Sequence, residues 1–129
     1  MYVLDSSVLI ELLNEGPQAV SIRHAIGEEL LVTTSISAHE VLCGAASDKH
    51  FFLLENLFSS ILVLGHDEHS AKIGAAFDRQ LTQAGAKINT PDLLIAGICK
   101  VNNAELVTLD QDFAKIKGLK ATILGKRNA

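Results

Sequence analysis

Five short apolar runs recur along the chain, each nearly unbroken, and longer helical patterns separate them. The runs cover 2–5 (YVLD), 30–35 (LLVTTS), 61–64 (ILVL), 105–109 (ELVTL) and 121–124 (ATIL). A strand with one wet face alternates apolar and polar residues. A run that stays apolar is a strand buried on both faces, as in a parallel sheet. Parallel neighbours need long crossovers, and helical patterns supply them at 7–14, 18–27, 37–46, 48–59, 67–84 and 91–102. At 129 residues, 48% of them hydrophobic, the chain fits one domain with a well-filled core. The expectation is a single α/β domain over 1–129, a three-layer α/β/α fold with a central parallel sheet of about five strands.

Four carboxylates fall where a strand hands over to a helix: Asp5 in YVLDSS, Glu40 in SISAHEVL, Asp92 in NTPDLLIAG and Asp110 in LVTLDQDF. Local signals mark the helix starts. Ser37 stands three residues before Glu40, the spacing of a capping box. Thr90-Pro91-Asp92 reads as a cap, a proline at the first helical position and an acid in the first turn. Asp5-Ser6-Ser7 offers capping oxygens after the first run, and 93–99 is apolar nearly all round, as in a deeply packed helix. A helix that follows a parallel strand begins near that strand's carboxyl end, where ligands of open α/β sheets bind. Strand-end acids (Asp5, Asp110) and first-turn acids (Glu40, Asp92) therefore converge if the first strand is central.

Four ionised carboxylates in one crevice repel strongly unless a cation compensates them, and a hard divalent ion such as Mg²⁺ or Mn²⁺ suits oxygen donors. Two ions about 3.5–4 Å apart are what phosphodiester hydrolysis by activated water uses. Taken singly, each acid has an ordinary role as a cap, a capping-box partner or a helix-dipole residue. Only the joint pattern points to a site. On that reading Asp5→Asn or Asp92→Asn abolishes cleavage and leaves the fold intact or more stable.

The net charge of −4 argues against nucleic acid as partner, yet the four acids equal the whole formal excess. Arg23, Lys49, Arg79, Lys87 and Lys100 are available as local phosphate contacts. Aromatics make up 5% with no Trp, which excludes a single-strand binder built on stacked rings. Cys43 and Cys99 lie in apolar helical runs and read as buried thiols of a reducing compartment. With no basic leader and no membrane-length apolar run, the chain reads as soluble and cytoplasmic.

Other constellations are weaker. His66-Asp67-Glu68-His69 opens a polar helix and reads as a solvated helix start. His39 and Cys43 stand at i, i+4 with no second ligand pair. No GxSxG elbow supports a triad from Ser6 or Ser7, and no phosphate-cradling glycine loop occurs. A phospho-acceptor receiver domain of similar length would use Asp5, Asp67 and Lys126, but leaves Glu40 and Asp92 without purpose. A non-catalytic interaction module is the remaining alternative.

The pieces VLDSSVLIELL, SISAHEVLCG, AKIGAAFDRQLTQAGAKI, DLLIAGICKVNNAELVTLDQDF and IKGLKATIL, in this order and spacing, resemble PIN-domain ribonucleases. Within that family the chain is most similar to VapC-type toxins of toxin–antitoxin pairs. The resemblance implies a metal-dependent endoribonuclease using Mg²⁺ or Mn²⁺, with Asp5, Glu40, Asp92 and Asp110 as catalytic and metal-binding acids. Asp112 of the same DxDF segment would share or replace the fourth role. It also implies supporting hydroxyls at Ser6 and Thr108, with Ser6-Ser7 standing where the family often has Thr-Asn. The implied partners are an RNA substrate, a small DNA-binding antitoxin that covers the site, and a second copy in a homodimer, with no membrane association.

Overall fold

The computed structural model describes residues 1–125. Five parallel strands form one sheet in the order β3-β2-β1-β4-β5: β1 Tyr2–Leu4, β2 Val32–Thr34, β3 Leu62–Leu64, β4 Glu105–Thr108 and β5 Ala121–Ile123. Every pairing is parallel, and β1 is central, with Val3 opposite Val32 on one side and Leu106 on the other. The connecting helices are α1 Ser6–Leu13, α2 Ala19–Ile26, α3 Ser35–Cys43, α4 Asp48–Ser59, α5 Glu68–Gln83 and α6 Thr90–Val101, with a short 3-10 helix at Gln111–Lys115.

Two apolar layers sandwich the sheet, giving the expected three-layer α/β/α architecture. On one side Phe77 and Leu81 of α5 and Leu93, Ile95, Ala96 and Cys99 of α6 pack on Val3, Val32 and Leu106. On the other, α1, α2 and α3 place Val8, Leu9, Ile22, Ile26 and Val41 against Leu4 and Val107. The α6 helix is buried on most of its circumference, as its apolar run requires. The α4 helix is the opposite case: Leu54 alone is buried, and Phe51, Phe52 and Leu53 are exposed.

Several boundaries move. The second strand starts at Val32 instead of 30, because Leu30 is 87% exposed and its apolar side chain does not enter the sheet. The strand ends at Thr34, and Thr34, not Ser37, caps α3 by accepting the Ser37 N–H at 3.1 Å. Glu40 consequently lies in the second turn and is no capping-box partner. At α6 the cap is Asn89 in place of Thr90, which leaves Asp92 in the first turn as expected. Cys99 is buried, but Cys43 ends α3 on the surface, its sulfur 3.6 Å from His39 Nε2. No described helix is long and apolar enough to cross a membrane.

Candidate metal centre

The sheet order reverses at β1, which extends one way to β2 and β3 and the other way to β4 and β5. The crevice of such a sheet opens beyond the carboxyl ends of its strands at that reversal. Asp5 follows β1 there, and Thr108 ends β4 beside it. Asp5 is 4% exposed, and three donors of the chain hold its carboxylate. Ser7 Oγ donates to Oδ1 at 2.6 Å, the Val8 N–H donates to Oδ1 at 3.1 Å, and Thr108 Oγ1 donates to Oδ2. Val8 lies in the first turn of α1, so Asp5 is also that helix's N-cap. Burial pushes the Asp5 carboxyl above its ordinary range; the three hydrogen bonds oppose the shift, and the charge of Asp110 adds to it.

Three other acids gather next to it. One carboxylate oxygen from each of Asp92, Asp110 and Asp112 lies within 4.8 Å of the others. Asp92 comes from the first turn of α6. Asp110 caps the 3-10 helix, its Oδ1 accepting the Asp112 N–H at 2.9 Å, which fixes the Asp110 side chain against the Asp112 backbone. The Asp92 carboxyl is pushed up to about 6, first by desolvation and then by Asp110, Glu40, Asp5 and Asp112 in falling order. Four acids thus act on Asp92, and Asp110 acts on Asp5 as well. Glu40 stands at the exposed rim, where Ser6 Oγ donates to its Oε1 at 3.3 Å.

The arrangement suits a hard divalent cation on its own chemistry. The triplet offers only carboxylate oxygens, and its mutual repulsion is the energy a cation would relieve. Among the described residues one counter-charge pairs with the triplet, Lys115 Nζ at 3.0 Å from Asp112 Oδ1, and both side chains are more than 40% exposed. A pair so exposed compensates little.

Sequence reasoning placed Asp5, Glu40, Asp92 and Asp110 at one edge, with Asp112 added by the family resemblance, and the structure brings these acids there together with Ser6 and Thr108. It missed Ser7, whose hydroxyl and not that of Ser6 reaches Asp5. It also missed Lys115, which the i, i+3 spacing to Asp112 could have suggested. Three donors converge on the Asp5 carboxylate, so an amide in its place would turn its NH₂ toward one of them, a cost to set against the relief of repulsion in Asp5→Asn. Of the bases expected to contact phosphate, Arg23 pairs with Glu15, and Lys100 donates to the Gly118 carbonyl at the far end of α6.

The His66–His69 stretch is remote from the acids. Gly97 of α6 approaches Ser70, and Thr90 shares a groove with Asp78, so α5 and α6 run antiparallel and α5 begins at the end away from Asp92. There Asp67 is a capping residue, accepting the Ser70 N–H at 2.8 Å while Ser70 Oγ accepts the Asp67 N–H. The phospho-acceptor role imagined for it is taken up by that cap, and Lys126 lies outside the described residues.

A family model described as PIN domain matches residues 2–119. No curated protein matches the chain. Solved structures share the fold over nearly its full length. VapBC-1 from nontypeable Haemophilus influenzae is 26% identical, with 95% of this chain and 96% of that one covered, at a TM-score of 0.79. VapBC2 from Rickettsia felis, bound to a DNA fragment from their promoter, is 22% identical over 95% and 97% of the two chains, also at 0.79. Mycobacterium tuberculosis VapC20, a sarcin–ricin loop cleaving toxin, is 11% identical over 88% and 93%, at 0.68.

Proposed function

This chain belongs to the PIN-domain family, and from that premise we propose that it is a metal-dependent endoribonuclease, the toxin of a toxin–antitoxin pair. The observation that carries the proposal is the convergence of Asp92, Asp110 and Asp112 beside Asp5, with Glu40 at the rim. RNA as substrate is supported by the structural likeness to a toxin that cleaves the sarcin–ricin loop.

Asp92, Asp110 and Asp112 would hold the cation, with Asp5 behind them. Mg²⁺ or Mn²⁺ would supply a Lewis acid for the phosphoryl oxygens and lower the pKa of a water. The residues of the chain set the geometry of attack. Glu40, steadied by Ser6, accepts the proton of the attacking water at its free carboxylate oxygen. Asp5 and Thr108 hold the strand ends in place. No side-chain nucleophile is needed: Cys99 is buried, and its thiol is pushed up to about 12 by burial and by Asp5. Lys115 and the exposed Lys87, just before α6, are positioned to meet the RNA backbone.

The partner is a small DNA-binding antitoxin. Support comes from the matched complexes and from exposed apolar residues on α1 and α4 (Ile10, Leu13, Phe51, Phe52, Leu53), more than an isolated surface needs. A groove of about 140 Å³ lined by Ile10, Leu13, Val41 and Leu54 runs between them. The active form is a homodimer. Cleavage of a mixed structured RNA in Mg²⁺, Mn²⁺ or EDTA, by wild type and Asp92→Asn, tests the assignment. Metal-dependent cleavage confined to wild type supports it, and full activity of Asp92→Asn overturns it.

A further inference from the structure

Two hydroxyls tie the end of β1 to the end of β4, and each has its polarity fixed by a backbone amide. Ser7 Oγ accepts the Leu109 N–H at 3.1 Å and donates to Asp5 Oδ1 at 2.6 Å. Thr108 Oγ1 accepts the Asp110 N–H at 3.0 Å and donates to Asp5 Oδ2. A hydroxyl carries one proton. With an amide bound to its lone pair, each hydroxyl directs that proton to the carboxylate. Two adjacent backbone amides, two hydroxyls and the two oxygens of Asp5 thus form one closed ring across the sheet's reversal point.

The ring reaches the acid triplet. Residues 109 and 110 carry the chain from β4 into the 3-10 helix, where Asp110 Oδ1 also accepts the Asp112 N–H. The orientation of the Leu109–Asp110 backbone therefore decides where the Asp110 and Asp112 carboxylates stand relative to Asp92. Ser6 cannot substitute, because its hydroxyl points to Glu40.

We propose that Ser7 is a positioning residue: with Thr108 it clamps the Asp5 carboxylate to the Leu109–Asp110 backbone, and so sets the spacing of the cation site. This deepens the metal-centre reading and rests on it. The removal of outer partners that orient ligands costs about 10–100-fold in metal affinity, and the clamp stands in that relation to Asp110.

The test compares wild type, Ser7→Ala, Ser7→Thr and Thr108→Val by amide hydrogen exchange and by calorimetric titration with Mn²⁺ alone. Ser7→Ala should speed exchange at the Leu109 amide and weaken Mn²⁺ binding about 10-fold. Ser7→Thr, which keeps the hydroxyl, should restore both. Thr108→Val should give the same signature at the Asp110 amide, and it serves if Ser7→Ala does not fold. Unchanged exchange overturns the clamp, and so does faster exchange with unaltered Mn²⁺ affinity, which leaves only a structural tie. Wild type that binds no Mn²⁺ overturns the metal reading instead, and the exchange rates then decide the clamp by themselves.

Discussion

Asp5 and Asp92 sit in one crevice and are treated oppositely by the chain. Asp5 is almost fully buried and receives three hydrogen bonds from Ser7, Val8 and Thr108. Asp92 is half-buried and faces only other acids, and no described hydrogen bond or ion pair relieves it. The chain compensates the first carboxylate with its own donors and leaves the second among like charges. One acid is thus part of the fold as well as of the proposed site. The other is a cost to the fold that a cation, on the proposed reading, would relieve.

The largest effect that separates the two is on cleavage. Asp92→Asn should reduce metal-dependent RNA cleavage by more than the roughly 100-fold that loss of an outer partner brings, while its circular dichroism stays native. Asp5→Ala should lose cleavage and fold together. It removes a helix cap and strands the buried Thr108 hydroxyl and the part-buried Ser7 hydroxyl, a loss of about 3 kcal/mol in denaturant unfolding. Equal stability of these two variants would erase the contrast.

A smaller effect comes from the α5–α6 contact that places Asp92. A Cβ on Gly97 would run into the Ser70 carbonyl, nearer than real Cβ atoms approach, and lie 3.0 Å from the Gly74 amide nitrogen. Both obstacles are backbone, so the helices must part. Gly97→Ala should cost about 1–3 kcal/mol and weaken Mn²⁺ binding by displacing Asp92; native affinity would show that the site tolerates a shift of α6.

The smallest effect is on pH. The Asp92 pKa rises from 3.8 to about 6 on folding, so the folded chain holds that proton more tightly. Without metal, the contribution of Asp92 to stability should be fully present below about pH 4 and be lost as pH rises through about 6, about 1 kcal/mol at this half-exposed site. Asp5 is shifted in the same direction. Unfolding midpoints in EDTA from pH 4 to 7 would show the decline, and Asp92→Asn should flatten most of it.

Much of this was legible in the chain. Unbroken apolar runs required a parallel sheet, and short strands with first-turn acids placed Asp5, Asp92 and Asp110 at one edge. What failed was local. Leu30 and Leu31 match a strand by composition, but burial, which sequence does not carry, excludes Leu30. At the other end of the strand Thr34 and Ser37 are both capping residues by type, and taking Ser37 as the cap put Glu40 one turn too early. Ser6 and Ser7 are identical in sequence. Only the start of α1 at Ser6 decides that Ser7 turns back to Asp5 and Ser6 outward to Glu40. Repulsion at Asp5 is countable from charges, whereas the three donors that converge on it come from the fold and are not legible in the sequence.

The central claim is that the chain satisfies Asp5 by itself and leaves Asp92, Asp110 and Asp112 for a cation. Thermal unfolding of wild type and Asp92→Asn at pH 7.5, with EDTA and with Mg²⁺, tests it most directly. The expected result is that Mg²⁺ raises the wild-type midpoint, while Asp92→Asn starts higher in EDTA and gains little. A wild type indifferent to Mg²⁺, or an equal gain in both proteins, would contradict it.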